Sequence, residues 1–233
     1  MSGGRTILTE LASRGLLRAS RPLYGERSGA TRIFTTLLGA GTLRGDSHEI
    51  TGRVGPGASL IVGATSATKI YGGGAESVLE TSWTVEPNGR LCLPAEPTIL
   101  FEGARYRSTT RIELGAHARL ATLEMVVVPA GLGAFTLDLR TFVRRHGRTL
   151  VHDILRLSPR NVCRDGCTIG TLVIDDGDDI AAQAKLERVA AALRDHGQTR
   201  AGFDRLASGA LHVRLFGHDA REVHELLRNA YDA

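Results

Sequence analysis

Four ionisable side chains stand in segments whose other residues predict strands or buried core: Asp46, Lys69, Glu96 and Glu124. Burying a charge costs several kcal/mol unless the group is paired or hydrated. One interpretation is therefore that these side chains are exposed or held in structural ion pairs. The other is a polar interior, in which carboxylates could act as a general acid or base.

Lys69 is one of only two lysines in the chain. The residues from Leu60 to Ala64 are apolar and small, and a cluster of hydroxyl-bearing residues follows, which ends at Tyr71 before Gly72-Gly-Gly74. This pattern predicts a buried strand that turns near Ala67 and carries Lys69 into a polar interior. A phosphate-binding loop is rejected, because its lysine follows the glycines and opens a helix.

Cysteine and histidine offer only weak candidates for a metal site. Cys163 and Cys167 are separated by three residues, but a structural zinc site needs two further ligands, so ordinary loop cysteines are favoured over metal binding. His212, His218 and His224 recur every six residues, a spacing that does not by itself make them converge. No nucleophile elbow, HExxH motif or dinucleotide fingerprint is present.

Composition narrows the class of protein. The 233 residues carry a net charge of +4, and their arginines are spread along the chain, which argues against a nucleic-acid binder. Three cysteines give no disulfide framework, so a reducing cytoplasm is expected. The N-terminus has no apolar signal region. The longest charge-free apolar run, 125–137, is shorter than the roughly 20 residues of a spanning helix, so no membrane association is expected.

The elements that must position these residues are mostly strands. Between residues 31 and 174, short alternating segments are separated by turn signals, which predicts an all-β sandwich, barrel or solenoid. Pro87-Asn88-Gly89 predicts a hairpin turn. Helical spacing and N-capping aspartates predict helices at about 179–196 and 219–231. We expect one domain over 1–233, with a β-body at about 20–175 and both helices docked on it.

Several of these segments resemble, in order and spacing, the urease accessory protein D family, also called protein H. The similar segments are Gly39-Ala-Gly-Thr-Leu-Arg-Gly-Asp46, Ala67-Thr-Lys-Ile-Tyr71, Leu93-Pro-Ala-Glu-Pro-Thr-Ile-Leu-Phe101, the acid Glu124 in an apolar strand, and Arg140 to Arg148 with Asp153. The chain departs from the family pattern at Ser66, at Gly72-Gly73 and at the inserted Pro97. The resemblance covers roughly residues 20–230.

The resemblance implies a right-handed β-helix-like body of stacked β-layers and many short strands, with two α-helices in the C-terminal third. It implies a non-enzymatic maturation factor, a scaffold or chaperone that binds apo-urease and the urease accessory proteins F and G. Nickel would pass through the protein toward the urease active site, with no cofactor permanently bound. The residues that would line this route or hold its polar network are Asp46, Thr68, Lys69, Tyr71, Glu96, Glu124, Arg140 and Asp153.

Two other functions stay open at this point. One is a β-solenoid hydrolase or transferase that uses Glu96 or Glu124 as acid or base together with Lys69. The other is a plain protein–protein adaptor without ion conduction. An open cleft around perturbed carboxylates would favour the enzyme.

Overall fold

Two β-sheets stack face to face in the computed structural model of the protein, which describes residues 5–25, 29–94, 96–162, 165–176, 187–191, 193 and 199–232. The prediction of a mainly β protein with stacked strands is confirmed. The strands of this described part are β1 (Leu17–Ala19), β2 (Leu23–Tyr24), β3 (Thr31–Leu37), β4 (Ser47–Val54), β5 (Ser59–Ala64), β6 (Thr68–Ile70), β7 (Ser77–Val85), β8 (Arg90–Leu93), β9 (Thr98–Leu100), β10 (Ala104–Leu114), β11 (Arg119–Val128), β12 (Phe135–Arg145), β13 (Arg148–Leu157), β14 (Cys167–Asp175), β15 (Arg200–Arg205) and β16 (Leu211–Gly217).

The sheets differ in size and in the order of their strands. The large sheet runs β1-β3-β5-β8-β11-β14-β16-β15, with β2, β6 and β9 attached to it. The small sheet runs β13-β12-β10-β7-β4, so β4 and β13 are its two edge strands. From β3 to β12 the chain passes repeatedly from the large sheet to the small sheet and back. The strands β3, β5, β8 and β11 pair in parallel opposite the parallel strands β4, β7, β10 and β12. This alternation gives the body its solenoid-like coils.

Turns that lead from the small sheet to the large sheet stack on one another. The amide of Gly57 donates to the carbonyl of Pro87 over 3.0 Å, and the amide of Asn88 donates to the carbonyl of Ala116 over 2.9 Å. The prediction of a hairpin at Pro87-Asn88-Gly89 is wrong. Asn88 has the positive φ expected of such a turn. However, β7 belongs to the small sheet, whereas β8 pairs with β5 and β11 of the large sheet, so β7 and β8 do not form a hairpin.

The glycine triplet makes a second stack of turns possible at the opposite end of the coils. A Cβ on Gly72 would lie 2.1 Å from the carbonyl oxygen of Glu102, so only glycine fits against the neighbouring coil. The amide of Tyr71 donates to the carbonyl of Thr42, and the amide of Phe101 donates to the carbonyl of Ile70. The described parts of the segments that carry the family resemblance, 39–46, 67–71 and 96–101, therefore lie side by side.

After β12 the pairing becomes antiparallel. β12 and β13 form a hairpin around His146 and Gly147, both with positive φ, and β14, β16 and β15 extend the large sheet. Residues 187–191 are helical (α1), while most of the helix expected at 179–196 lies outside the described residues. The expected final helix is confirmed as α2 (Ala220–Asp232). Asp219 caps it by accepting hydrogen bonds from the amides of Arg221 and Glu222.

Side-chain alternation along the strands divides the apolar core into three clusters. Two lie between the sheets, one around Trp83 and Leu120 and one around Leu137 and Val126. The third fills the space between the large sheet and α2, where Leu172, Leu215 and Leu227 are fully buried. Within the described ranges, no helix is long and apolar enough to cross a bilayer.

Candidate functional site

Between the two inter-sheet clusters lies a band of polar side chains, which we call the polar layer. In the small sheet, Thr81, Thr110, Thr141 and Asp153 occupy matched positions on four neighbouring strands. In the large sheet, Glu124, Thr171 and Arg214 occupy matched positions on β11, β14 and β16. Each of these seven strands thus contributes a polar residue to the space between the sheets, and on β7, β12, β13 and β14 its neighbours on the same face are apolar.

Glu124 is the acid at the centre of this layer. Its Oε2 lies 3.5 Å from the Oγ1 of Thr141, so the contact joins the two sheets. The side chain is half-buried, and its removal from water raises the pKa of the carboxyl to about 7. The negative charge of Asp153 contributes to the same rise. Arg214 and the Thr141 hydroxyl act in the opposite direction. Near neutral pH, Glu124 therefore exists in both protonation states.

Asp153 lies at one edge of the layer and has the opposite electrostatic character. Arg214 Nη2 is 2.7 Å from each carboxylate oxygen, and His212 Nε2 is 3.6 Å from Oδ2. Burial alone would raise the pKa of Asp153, but hydrogen bonding with His212 and the charge of Arg214 outweigh it and hold the pKa below its usual value. The layer therefore combines a permanently charged edge with a titratable centre.

Tyr106 and Ser108 extend the layer along β10. Both are buried and face the interior. Burial raises the pKa of the Tyr106 phenol, the hydrogen bond with Ser108 lowers it, and the charge of Glu124 raises it further. The phenol and the threonine and serine hydroxyls supply neutral oxygen atoms next to two carboxylates. Oxygen donors of this kind suit hard or borderline cations.

The structure does not assemble these groups into a fixed metal centre. Across the residues that are described, no three His, Cys, Asp or Glu side chains come close enough to hold an ion together. Cys167 is buried in the apolar cluster around Leu137, and Cys163 lies outside the described residues. The layer can therefore offer a cation one or two carboxylates at a time, with hydroxyls between them.

The expectation that Lys69 lies in the interior is wrong. The predicted turn after β5 is present, but β6 has only three residues, and Ile70 takes the inward position with no exposed surface. Because neighbouring residues of a strand point to opposite faces, the Lys69 side chain is exposed. Thr68, on the other side of Lys69, is half-buried.

Of the other predicted residues, only Glu124 and Asp153 lie in the polar layer. The expected core position of Glu96 is wrong, because its side chain is exposed before β9. Asp46 is half-buried and accepts a hydrogen bond from the amide of Leu43 over 2.8 Å, which closes a turn. Tyr71 packs against Phe101, with ring centroids 4.6 Å apart.

Arg140 is paired on the outward face of the small sheet. Its guanidinium donates to both carboxylate oxygens of Asp138, over 2.9 and 2.6 Å, and Arg156 also pairs with Asp138. The hydrogen bond from Arg140 is the chief reason that the pKa of Asp138 is lowered. Arg140 and Thr141 are neighbours in sequence, yet only Thr141 reaches the interior.

Sequence reasoning missed Arg214 and named His212 only as a weak candidate for a metal ligand, not as a partner of Asp153. Arg214 and His212 alternate along β16 with Leu211, Val213 and Leu215, which are buried against α2. That alternation is the signal that could have found them, because it shows a strand with one apolar face toward the helix and one polar face toward the other sheet. The threonines gave no comparable signal, since threonine is common on any strand face.

The chain is similar in sequence to known proteins along its whole length. A family model for the UreD urease accessory protein matches residues 1–233. A urease accessory protein UreD from Actinomyces naeslundii is 36% identical over 164 residues, which are 67% of this chain and 60% of that protein. A UreD from Xanthobacter autotrophicus is 32% identical over 231 residues, 93% of this chain and 77% of that protein. The chain therefore spans between about three fifths and three quarters of these relatives.

Proposed function

Because this chain belongs to the UreD urease accessory protein family, we propose that it is a urease maturation factor through which nickel passes toward apo-urease. In this proposal the protein is a scaffold without catalytic activity, and it assembles with apo-urease and the urease accessory proteins F and G. It works in the cytoplasm, and nickel is its cargo and not a resident cofactor.

The observation that carries the nickel proposal is the polar layer that crosses the sandwich. The layer lies between two apolar clusters, and in this proposal a cation crosses the sandwich along its oxygen atoms. The two carboxylates, Glu124 and Asp153, stand on different sheets and are linked through Thr141 and Arg214. An ion held by few ligands is released more readily than one held by a full set.

Glu124 suits the transfer step because it can exchange a proton for a cation. With a pKa of about 7 it is partly protonated at neutral pH, so the layer does not carry two full negative charges when it is empty. A divalent cation near the carboxyl favours the ionised form, and the proton leaves as the ion arrives. The Asp153 carboxylate stays ionised throughout, with Arg214 balancing its charge.

The enzyme alternative lacks its acid–base pair. Glu96 is exposed before β9, whereas Glu124 points between the sheets from β11, and Lys69 points to solvent. Neither Glu96 nor Lys69 therefore joins Glu124 as the second group that a hydrolase or transferase of the expected kind would need.

The test is nickel-dependent activation of apo-urease by accessory proteins F and G together with this chain. We expect Glu124→Gln and Asp153→Asn to lower urease activation at least about tenfold while both variants still assemble with the other proteins. Asp138→Asn is the matched control, because it removes a carboxylate of the same small sheet from the outward face. Full activation by the two interior variants would indicate that the chain is an adaptor without ion transport. Failure of the wild-type chain to assemble with the other proteins would refute the maturation role.

A further inference from the structure

A groove of about 740 Å³ opens between the N-terminal segment 8–19 and the edge strand β4. Every residue from 46 to 53 lines it, so the groove follows the whole strand. Apolar side chains of the large sheet and of β7 form its floor: Ile33, Leu60, Val62 and Trp83. The polar layer and the segments that resemble the family do not explain this feature.

The hydrogen-bonding register of β4 shows which main-chain groups face the groove. The amide of Val78 donates to the carbonyl of Asp46, and the amide of Glu86 donates to the carbonyl of Val54. In a parallel ladder, alternate residues direct both of their main-chain groups toward the same neighbour. The even-numbered residues of β4 therefore bond to β7, and the odd-numbered residues present their amides and carbonyls to the free edge.

Those odd-numbered residues are Ser47, Glu49, Thr51 and Arg53. Within the described part of the chain, β7 is the only strand that pairs with β4, and no side chain bonds to these four amides or carbonyls. The strand also lacks two of the usual protections of an edge, because it contains no proline and no bulge. An unpaired row of this kind is a template for one more strand.

We propose that the groove binds an extended segment of a partner protein, which adds to the small sheet beside β4. This inference rests on the maturation complex proposed above and names one of its contact surfaces. The partner segment has apolar side chains at every second position, because those side chains meet the apolar floor while the intervening ones face solvent. A segment of about eight residues matches the length of β4.

The position of the N-terminal segment indicates that the groove binds a single extended strand and not the edge of another folded sheet. Residues 8–19 form the opposite wall of the groove, and the hydrogen bond from the Arg18 guanidinium to the Ser13 carbonyl, 2.9 Å long, helps to hold that wall. A strand that pairs with β4 must lie between this wall and β4. A second copy of this chain would bring its own wall to the same place, so its β4 is a poorer fit.

Thr51→Pro tests the proposal while preserving the fold. It removes an amide that faces the free edge and none that bonds to β7, and proline is tolerated at such edge positions. Thr51→Ala is the matched control, because it loses the same hydroxyl and keeps the amide. Binding to apo-urease and to accessory proteins F and G is measured for wild type and both variants, together with their unfolding midpoints.

We expect Thr51→Pro to weaken binding to one of these proteins by about tenfold or more, with Thr51→Ala close to wild type. Hydrogen exchange of the wild-type chain gives a second readout that needs no variant, because the amides of 47, 49, 51 and 53 should exchange at least about tenfold more slowly in that complex. Equal binding of the two variants together with unchanged exchange would overturn the strand-addition site and leave the maturation role intact. Self-association of the chain that Thr51→Pro abolishes would overturn the assignment to a partner protein.

Discussion

Glu124 on β11 and Thr141 on β12 meet across the interior of the sandwich, with Oε2 3.5 Å from Oγ1. This contact joins two rows of polar side chains that the strand registers of the two sheets create separately. In one row Thr141 is the neighbour of Asp153, and in the other Glu124 leads through Thr171 to Arg214. Because Arg214 also pairs with Asp153, the two rows contact each other at two points.

Stability should fall as pH rises from about 4.5 to about 7. The pKa of Glu124 is about 7 in the folded state and about 4.5 for an unperturbed glutamate, so between these values the folded state binds more protons than the unfolded state. The stabilising contribution is complete below the lower value and is lost by the upper one. Its size is about 3 kcal/mol at most, at 1.36 kcal/mol per pKa unit.

Denaturant unfolding of wild type and Glu124→Gln across this pH range measures the effect. Glu124→Gln should flatten the pH dependence, because glutamine does not titrate. Asp153, whose pKa is lowered, acts in a separate window, since its contribution is lost only when pH falls below about 3.8. A wild-type stability that is constant or rises from pH 4.5 to 7 would contradict a raised pKa of Glu124.

Removing one partner of the Asp153–Arg214 pair should cost more than removing both. Arg214→Met leaves a mostly buried carboxylate without its guanidinium, and we expect a loss of about 1–3 kcal/mol in the free energy of unfolding. The figure is below that of a fully buried pair, because about a quarter of the Arg214 side chain is exposed. The double variant with Asp153→Asn should recover part of this loss.

A double-mutant cycle on urea unfolding measures the coupling between these two residues. The outward pair of Asp138 and Arg156 supplies a control cycle, because 64% of the Arg156 side chain is exposed. We expect that control to couple by less than about 1 kcal/mol. Equal coupling in both cycles would mean that the interior position of Asp153 adds nothing to its interaction with Arg214.

Gly52→Ala should displace the single tryptophan of the chain. A Cβ at Gly52 would lie 2.0 Å from Cζ3 of Trp83, so the indole has to move out of a well-packed cluster. We expect a loss of about 1–3 kcal/mol in the free energy of unfolding, typical of overpacking. Gly55→Ala is the matched control, since nothing lies within 4 Å of its added Cβ.

Tryptophan fluorescence reports this change directly, because Trp83 is the only indole. The emission of Gly52→Ala should shift to the red as the ring becomes more exposed, and that of Gly55→Ala should match wild type. An unshifted emission together with unchanged stability would show that the Trp83 ring does not pack over Gly52.

The alternation of apolar and polar residues was sufficient to predict a mainly β protein, because side chains of a strand point alternately to opposite faces. The final helix was equally predictable, since its cap and apolar spacing lie within a few residues of each other in the sequence. The family resemblance also depended on the sequence alone. Roles of single residues as nickel ligands stay predictions that the experiments above address.

Which polar residues share one interior was decided only by the tertiary structure. Lys69 and Glu96 looked as buried as Glu124 from their neighbours in sequence, yet two of the three are exposed. In the short strand β6, Ile70 occupies the inward position. Which residue of β6 points inward depends on how the strand pairs with the adjacent coils. Arg214 and Asp153 are 61 positions apart in sequence, and they meet because the registers of two different sheets place them opposite each other, a relation between distant residues that no local pattern contains.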